Sequence, residues 1–315
     1  MKDDGPSRGS VAVLAPAPVL TVMVERHPQG EPEIHLHAGG QGFWVARMIR
    51  LLGPQVSLCA PLGGETGTIL RALLEAQGLD ARIVATAASN GAYVQERRDR
   101  GRSTLAETSS PALSRHEADE LYGSMLTAGL ASDISVLTGT RDEGVIDPEF
   151  YRRVAADLRA NGRLVAADLS RASLTAALSG GLDIVHIDAR ELCEHMGTEL
   201  VEPSDFVLAC RKLHDEGAAN VIVSRGSEPV IALLGGRALE LRSPRFQVRD
   251  PHGTGDTMFA TLVASVAEGV GLETAARRGV AGGALNVARR GLGTGSPQDI
   301  QRLAESIRVQ PLAIQ

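Results

Sequence analysis

The chain has 315 residues, 43% hydrophobic and 22% charged, with a formal net charge of −6, the profile of a globular protein with a full core. An acidic chain without a long basic run is unsuited to general nucleic-acid binding, and one Trp, three Tyr and five Phe are too few for a base-stacking platform. Three cysteines without C-x-x-C spacing argue against a disulfide framework or zinc site and fit a reducing cytoplasm, and no apolar stretch reaches the ~20 residues of a membrane span.

Residues 11–24, VAVLAPAPVLTVMV, are apolar, but Pro16 and Pro18 interrupt them and MKDDGPSRGS before them has no clear positive bias. This predicts a flexible tail over 1–17 and a buried first strand from Val19 to Glu25 rather than a signal peptide. Residues 18–310 then read as a single domain. Trp44 to Leu52 carries apolar residues at helical spacing and stops at Gly53-Pro54. Val56–Ala60 reads as a strand, Glu65–Ala76 as a helix and Ile83–Thr86 as a strand. Ser114 with Glu117 forms a capping box for a helix through Met125. Ile134–Leu137 is a strand, Asp147-Pro148 opens a helix to Asn161, and Leu164–Asp168 and Ile184–Ile187 are strands. Helices follow around Leu174, around Leu192 and from Ser204 to Glu216. Val221–Ser224 and Val230–Leu234 are strands. Helices then begin near Asp256, at Glu273 (to Arg289) and at Ser296-Pro297. Alternation of this kind predicts an α/β fold with a mostly parallel sheet and helices on both faces, ligands lying at the carboxyl ends of the strands.

Two stretches break the alternation. Glu33–His37 alternates with no helix before it, and Gly91–Thr108 reads as two polar-faced strands around a turn at Asp99–Gly101. They predict a small antiparallel lid from segments at about 30–38 and 89–108.

The chemical signal lies in RDPHGTGDTMFATLVASVAEG, Arg249–Gly269. Gly253, Thr254 and Gly255 form a small-residue turn that runs into a helix, whose unpaired first-turn amides and dipole make an anion site. Such donors stabilise the charge on a transferring phosphoryl group, and Asp256 beside them can take a proton from an attacking hydroxyl. Taken alone, G-x-G-D fits a plain helix cap equally well.

Context extends this. D-P-H-G-T-G-D resembles the C-terminal signature of the PfkB/ribokinase carbohydrate kinases, D-T-x-G-A-G-D. AGGQGFWVARMIRLLG resembles their N-terminal signature, G-G-K-G-x-N-x-A followed by a helix and L-G. VLTGTRDEG resembles S-G-S-L-P-x-G of the 1-phosphofructokinase/tagatose-6-phosphate kinase branch. VAADLS and DIVHIDARELCEHMG resemble D-x-S and K-P-N-x-x-E-L, VIVSRGSEPVIAL resembles V-S-L-G-x-D-G-A, and LNVARRGLGTGSP the last nucleotide-side segment.

The resemblance implies a ribokinase-like fold with a β-lid, ATP and Mg²⁺ as cofactors with room for a monovalent cation, and a small sugar or sugar phosphate as acceptor. It is compatible with a homodimer. It implies Asp256 as the base, with Gly253, Thr254 and Gly255 as the anion hole. Gly39, Gly40, Gln41, Phe43, Gly139, Thr140 and Arg141 would bind the acceptor, and Ser224, Gly226, Gly283 and Asn286 would face the nucleotide. Glu191 and Asp188 would organise the metal.

Departures concentrate at the acceptor end. Gln41 replaces Lys, Phe43 the sugar-binding Asn, Asp188 an Asn, Pro229 a Gly and Thr254 an Ala. VMVERHP replaces N-P-A-x-D, and no Arg stands near Asn90, although Arg97, Arg98, Arg100 and Arg102 follow. A phenyl ring at 43 cannot replace an amide, which predicts a pocket that rejects fructose phosphates. These changes leave a catalytically silent binding relative and a nucleoside kinase as alternatives. Trp44 reads as core, His35 and His37 as surface or lid, and His186 and His195 lack ligand spacing. The ERRDRGR run reads as a solvated turn, and His252 fits a turn residue as well as a phosphate contact.

Overall fold

The computed structural model describes residues 9–26, 30–98, 101–142, 144–249, 252–288 and 295–312. In chain order the first elements are β1 (Ser10–Leu14), β2 (Val19–Arg26), β3 (Glu33–Gly39), α1 (Gln41–Leu52), β4 (Gln55–Gly63), α2 (Gly64–Ala76), β5 (Asp80–Thr86), β6 (Ala92–Arg98) and β7 (Gly101–Thr108). Next come α3 (Arg115–Leu130), β8 (Ile134–Thr138), α4 (Pro148–Ala160), β9 (Leu164–Asp168), α5 (Arg171–Gly180), β10 (Ile184–Asp188), α6 (Ala189–Met196) and α7 (Pro203–Asp215). The last are β11 (Val221–Arg225), β12 (Glu228–Leu234), β13 (Arg237–Arg242), α8 (Thr254–Ala267), α9 (Leu272–Val287), α10 (Pro297–Glu305) and β14 (Arg308–Pro311).

A large sheet runs β14-β13-β12-β11-β10-β9-β8-β1-β4-β5. It is parallel from β11 through to β5 and antiparallel from β11 to β14. One core lies under α1, α2, α8, α9 and α10 and the other under α3 to α7. Helix starts follow the local chemistry: Ser114 and Glu117 form the capping box of α3, and the Asp147 side chain accepts from Glu149 N ahead of Pro148 in α4.

The expected tail over 1–17 is corrected by β1, which is paired on both sides by β4 and β8. Val11 and Val13 enter one core while Ala12 and Leu14 enter the other, all fully buried. A strand buried on both faces shows no polar alternation, so its apolar run was indistinguishable from a leader-like stretch. Residues 1–8 lie outside the described residues. The expected strand Val19–Glu25 forms as β2, but it is the second strand and not the first, and it belongs to a second sheet, ordered β3-β2-β6-β7. There β2 runs antiparallel to β3 and parallel to β6, and β6 and β7 form a hairpin with a register shift at Val94/Gln95. The two lid segments therefore share one sheet, with Val19–Arg26 as the strand between them. Asp99 and Arg100 of the expected turn lie outside the described residues.

Candidate active site

The parallel strands β8, β9, β10 and β11 all end on one edge of the large sheet, where three helices begin: α1 at Gln41, α6 at Ala189 and α8 at Thr254. Gly253 sits at the N-cap of α8 with φ 68, a left-handed conformation that suits glycine. Asp256 stands in the first turn that follows. The turn is braced from α9: Asn286 Nδ2 donates to the His252 carbonyl (2.9 Å) and its Oδ1 accepts from Thr257 Oγ1 (3.2 Å). At Gly283 a Cβ would lie 3.2 Å from the Thr254 carbonyl oxygen. Asn286 and Gly283, expected to face a nucleotide, instead pack behind the turn that opens α8. Asn286 is 1% exposed with both ends of its amide occupied.

Asp256 retains some accessible surface, yet its depth among protein atoms first, then Asp168 and Glu191, together push the carboxyl up to about 7. A hydrogen bond from Gln41 and the proximity of His186 work in the opposite direction. Glu191 is likewise pushed up to about 7, by burial first and then by Asp188 and Asp168. Beneath them His186 Nδ1 lies 2.9 Å from Asp168 Oδ2, with both side chains buried. The ring stacks on Phe259 of α8 (5.8 Å) and approaches Gly255, where a Cβ would stand 3.3 Å from Cε1. Its Nε2 has no hydrogen-bond partner among the described residues. Burial opposes a charge on this imidazole, but Asp168, Glu191 and Asp256 outweigh that and its pKa is raised. Sequence reasoning missed Asp168 and His186 as site residues. The available signal was that both fall inside motif segments, Asp168 in VAADLS and His186 at the Lys position of K-P-N.

Asp188 and Glu191 cap α6 reciprocally: Glu191 N donates to Asp188 Oδ1 (2.8 Å) and Asp188 N to Glu191 Oε2 (3.4 Å). No group of three or more His, Cys, Asp or Glu positioned to hold a metal ion occurs among the described residues. The site therefore does not form a protein cage. Its carboxylates fit an ion that keeps waters and takes other oxygens from phosphates, the usual preference of Mg²⁺.

At the acceptor end, Gly40 has φ 97, and a Cβ there would stand 2.7 Å from the Ala17 carbonyl oxygen. Gln41 Oε1 accepts from Gly139 N at 2.8 Å. Thr140 Oγ1 donates to the Asp142 carbonyl (2.7 Å). Arg141 reaches the second sheet, pairing with Glu107 (3.1 Å) and lying over the Tyr93 ring at 5.4 Å. Phe43, expected in the acceptor pocket, is corrected: it is 1% exposed in the core and meets Trp44 edge-to-face at 5.2 Å. Helical geometry explains this, because position 43 falls on the buried stripe with Val45, Ala46, Met48 and Ile49. Asn90 is structural, accepting from Gly63 N (2.9 Å) and donating to the Pro61 carbonyl (3.0 Å).

Of the residues expected to face the nucleotide, Ser224, one before the end of β11, pairs with Asp188, and Gly226 makes the left-handed turn into β12 with φ 61. Residues 289–294 of the last motif lie outside the described residues. The cleft lined by Leu52, Thr261, Ser265, Glu268 and Arg278 sits toward the opposite end of α8 and takes no part in the site.

Residues 19–299 match the pattern of the pfkB family carbohydrate kinases. Among relatives, 1-phosphofructokinase of Vibrio cholerae serotype O1 is 29% identical over 280 residues, covering 88% of this chain and 87% of the relative. ATP-dependent 6-phosphofructokinase isozyme 2 of Mycobacterium tuberculosis is 28% identical over 312 residues, covering 96% and 91%. Among solved structures, phosphofructokinase-2 from Escherichia coli in complex with potassium superposes with a TM-score of 0.82 at 24% identity, covering 95% of this chain and 98% of that one.

Proposed function

The chain belongs to the pfkB family of carbohydrate kinases, and we propose that it transfers the γ-phosphoryl group of ATP to a hydroxyl of a sugar phosphate, with Asp256 as general base. The observation that carries this reading is the placement of Asp256 in the first turn of α8, above the Asp168–His186 pair, with its carboxyl raised to about 7. A base of that basicity is half-ionised near neutrality and accepts a proton far more readily than an ordinary aspartate.

In the reaction, Asp256 takes the hydroxyl proton as the acceptor oxygen forms its bond to γ-phosphorus. The bond from γ-phosphorus to the bridging oxygen breaks, and ADP leaves with that electron pair. The amides at the start of α8, with the left-handed Gly253, donate to the equatorial oxygens where charge builds. Glu191 and Asp188 are the residues that would hold Mg²⁺, which would supply charge neutralisation.

A phosphorylated acceptor is favoured because the relatives named above act on fructose phosphates. Phe43 is buried in the core and takes no acceptor space, so the hydroxyl that an amide at 43 would meet needs its hydrogen bond from another residue. The position of Arg141, on the loop after β8 and beside Glu107 and Tyr93 of the second sheet, supports it as a cation for an acceptor phosphate. The test is a panel of fructose 1-phosphate, fructose 6-phosphate, unphosphorylated sugars and nucleosides, assayed with Mg-ATP with and without potassium. Turnover of a sugar phosphate is expected. Turnover of a nucleoside alone, or of nothing in the panel, would overturn the reading.

A further inference from the structure

Two kinds of contact tie the second sheet to the loop after β8, and they differ in strength. Asp142 Oδ2 accepts from Ser110 N at 2.7 Å, and Leu113 N donates to the Val145 carbonyl at 2.9 Å. Ser110 is 9% exposed, so water competes poorly for its bond. The other contact is the ion pair of Arg141 Nη1 with Glu107 Oε1, at 3.1 Å, with side chains 67% and 30% exposed. An ion pair open to water adds little net stability, because solvent screens it and two long side chains must be held still. A fixed contact therefore stands beside an exchangeable one.

The register of the second sheet places the exchangeable contact. Tyr93 on β6 and Glu107 on β7 are directly opposite one another in the antiparallel pairing, so both project from one face. Their row continues through Thr21 on β2 to His37 on β3. Arg141 meets the row at two points, on the Glu107 carboxylate and over the Tyr93 ring at 5.4 Å. A guanidinium carries five donors in a planar fork. A phosphate offers that fork more oxygens and more charge than a carboxylate does, and binds it in bidentate fashion. With Glu107 still at 3.1 Å, a phosphate on Arg141 would face a like charge, so the two anions exclude one another.

We propose that Glu107 is a specificity-determining residue: it occupies Arg141 in place of the acceptor's phosphate and yields it when a phosphorylated acceptor binds, while the Asp142–Ser110 contact keeps the second sheet seated. The inference rests on the reading of a sugar phosphate as acceptor with Arg141 as its cation. An acceptor without a phosphate has no group to displace Glu107 and gains nothing from Arg141. The pair thus acts as a filter, weak enough to open for a dianion and closed to a neutral sugar.

Glu107→Gln and Arg141→Ala test this on the sugar phosphate that the wild type turns over best. Glutamine keeps the length of the side chain and its place in β7 but removes the competing charge. KM for the acceptor should fall ~3–10-fold, since Arg141 no longer has to be vacated, with kcat changed by less than ~2-fold. Arg141→Ala should raise that KM ~10–100-fold, the loss of a charge-assisted hydrogen bond. In the Arg141→Ala background Glu107→Gln should have no further effect on KM, because the two residues act through one contact. A Glu107 that only steadied the second sheet would behave differently: its loss would raise KM, and would do so with or without Arg141. A KM raised or unmoved in Glu107→Gln would overturn the inference alone. Turnover of no sugar phosphate by the wild type would instead overturn the functional reading on which it rests.

Discussion

At the residue scale, the buried carboxyl of Asp256 makes opposite demands on stability and rate. Its folded value of about 7 lies above the ordinary range, so its contribution to stability is complete below about pH 4. That contribution declines as pH rises through 7, where the folded state must ionise a poorly solvated acid. Activity needs the ionised form. The kcat/KM profile should therefore rise along an acid limb centred near pH 7, a region where an ordinary aspartate would give no pH dependence. Asp256→Asn should lower turnover ~10²–10⁴-fold while leaving ATP binding within a few-fold. It should also stabilise the ligand-free protein at pH 8 by about 1–2 kcal/mol, read as a higher melting temperature. Wild-type activity in this variant would reduce Asp256 to a helix cap. Asn286 supports this residue indirectly, because it holds the His252 carbonyl and the Thr257 hydroxyl together. Asn286→Leu removes both hydrogen bonds and should cost about 1–3 kcal/mol in stability by denaturant titration. It should also lower kcat, since the anion turn loses its brace.

At the scale of elements, α8 and α9 pack closely because α9 presents Gly279, Gly282 and Gly283 to its neighbour. A Cβ at Gly282 would stand 2.4 Å from Thr261 Oγ1 and 3.0 Å from Thr261 Cβ. That threonine is β-branched and its hydroxyl already donates to the Thr257 carbonyl at 2.7 Å, so it has little room to turn away. Alanine at an exposed helical glycine normally gains ~1 kcal/mol. At 282 the overlap should reverse the sign, and Gly282→Ala should lose ~1–2 kcal/mol, seen as a fall in melting temperature. The second sheet raises a separate question. Its expected role as a lid predicts that the amides of β6 and β7 become more protected from hydrogen exchange when acceptor binds. Unchanged protection with acceptor bound would leave this sheet without a closing role. The strands at 33–37 and 91–108 were legible because a half-exposed strand alternates. The strand joining them, β2, was read as the first buried strand and not as part of this sheet, because its apolar sequence reads as buried wherever it pairs.

At the scale of the whole molecule, β1 is the strand on which the parallel sheet is organised. It pairs with β4 and β8, and the Leu14 carbonyl accepts from Thr138 Oγ1 at 2.7 Å. Deleting residues 1–14 removes five residues from the middle of the sheet and opens both cores at once. The truncated chain should be insoluble or lack a cooperative unfolding transition, where loss of a mere tail would leave both unchanged. A soluble, cooperatively melting truncation would contradict the central place of β1.

By itself the sequence determined the class of fold, most of the helices and the small-residue turn that opens α8. Those features are local: a cap three residues from its partner, an apolar stripe at helical spacing, or a small-residue turn running into a helix is complete within one window of chain. It could not decide which strands occupy the centre, since β1 and β2 look alike as apolar runs and differ only in partners that lie far along the chain. Nor could it decide where Phe43 turns, because a helix position becomes core or pocket only once its neighbour is fixed. The surroundings of Asp256 belong to the same class. Gln41, Asp168, His186 and Glu191 come from α1, β9, β10 and α6. The basicity of the carboxyl is a sum over groups that only the folded sheet brings within range of one another.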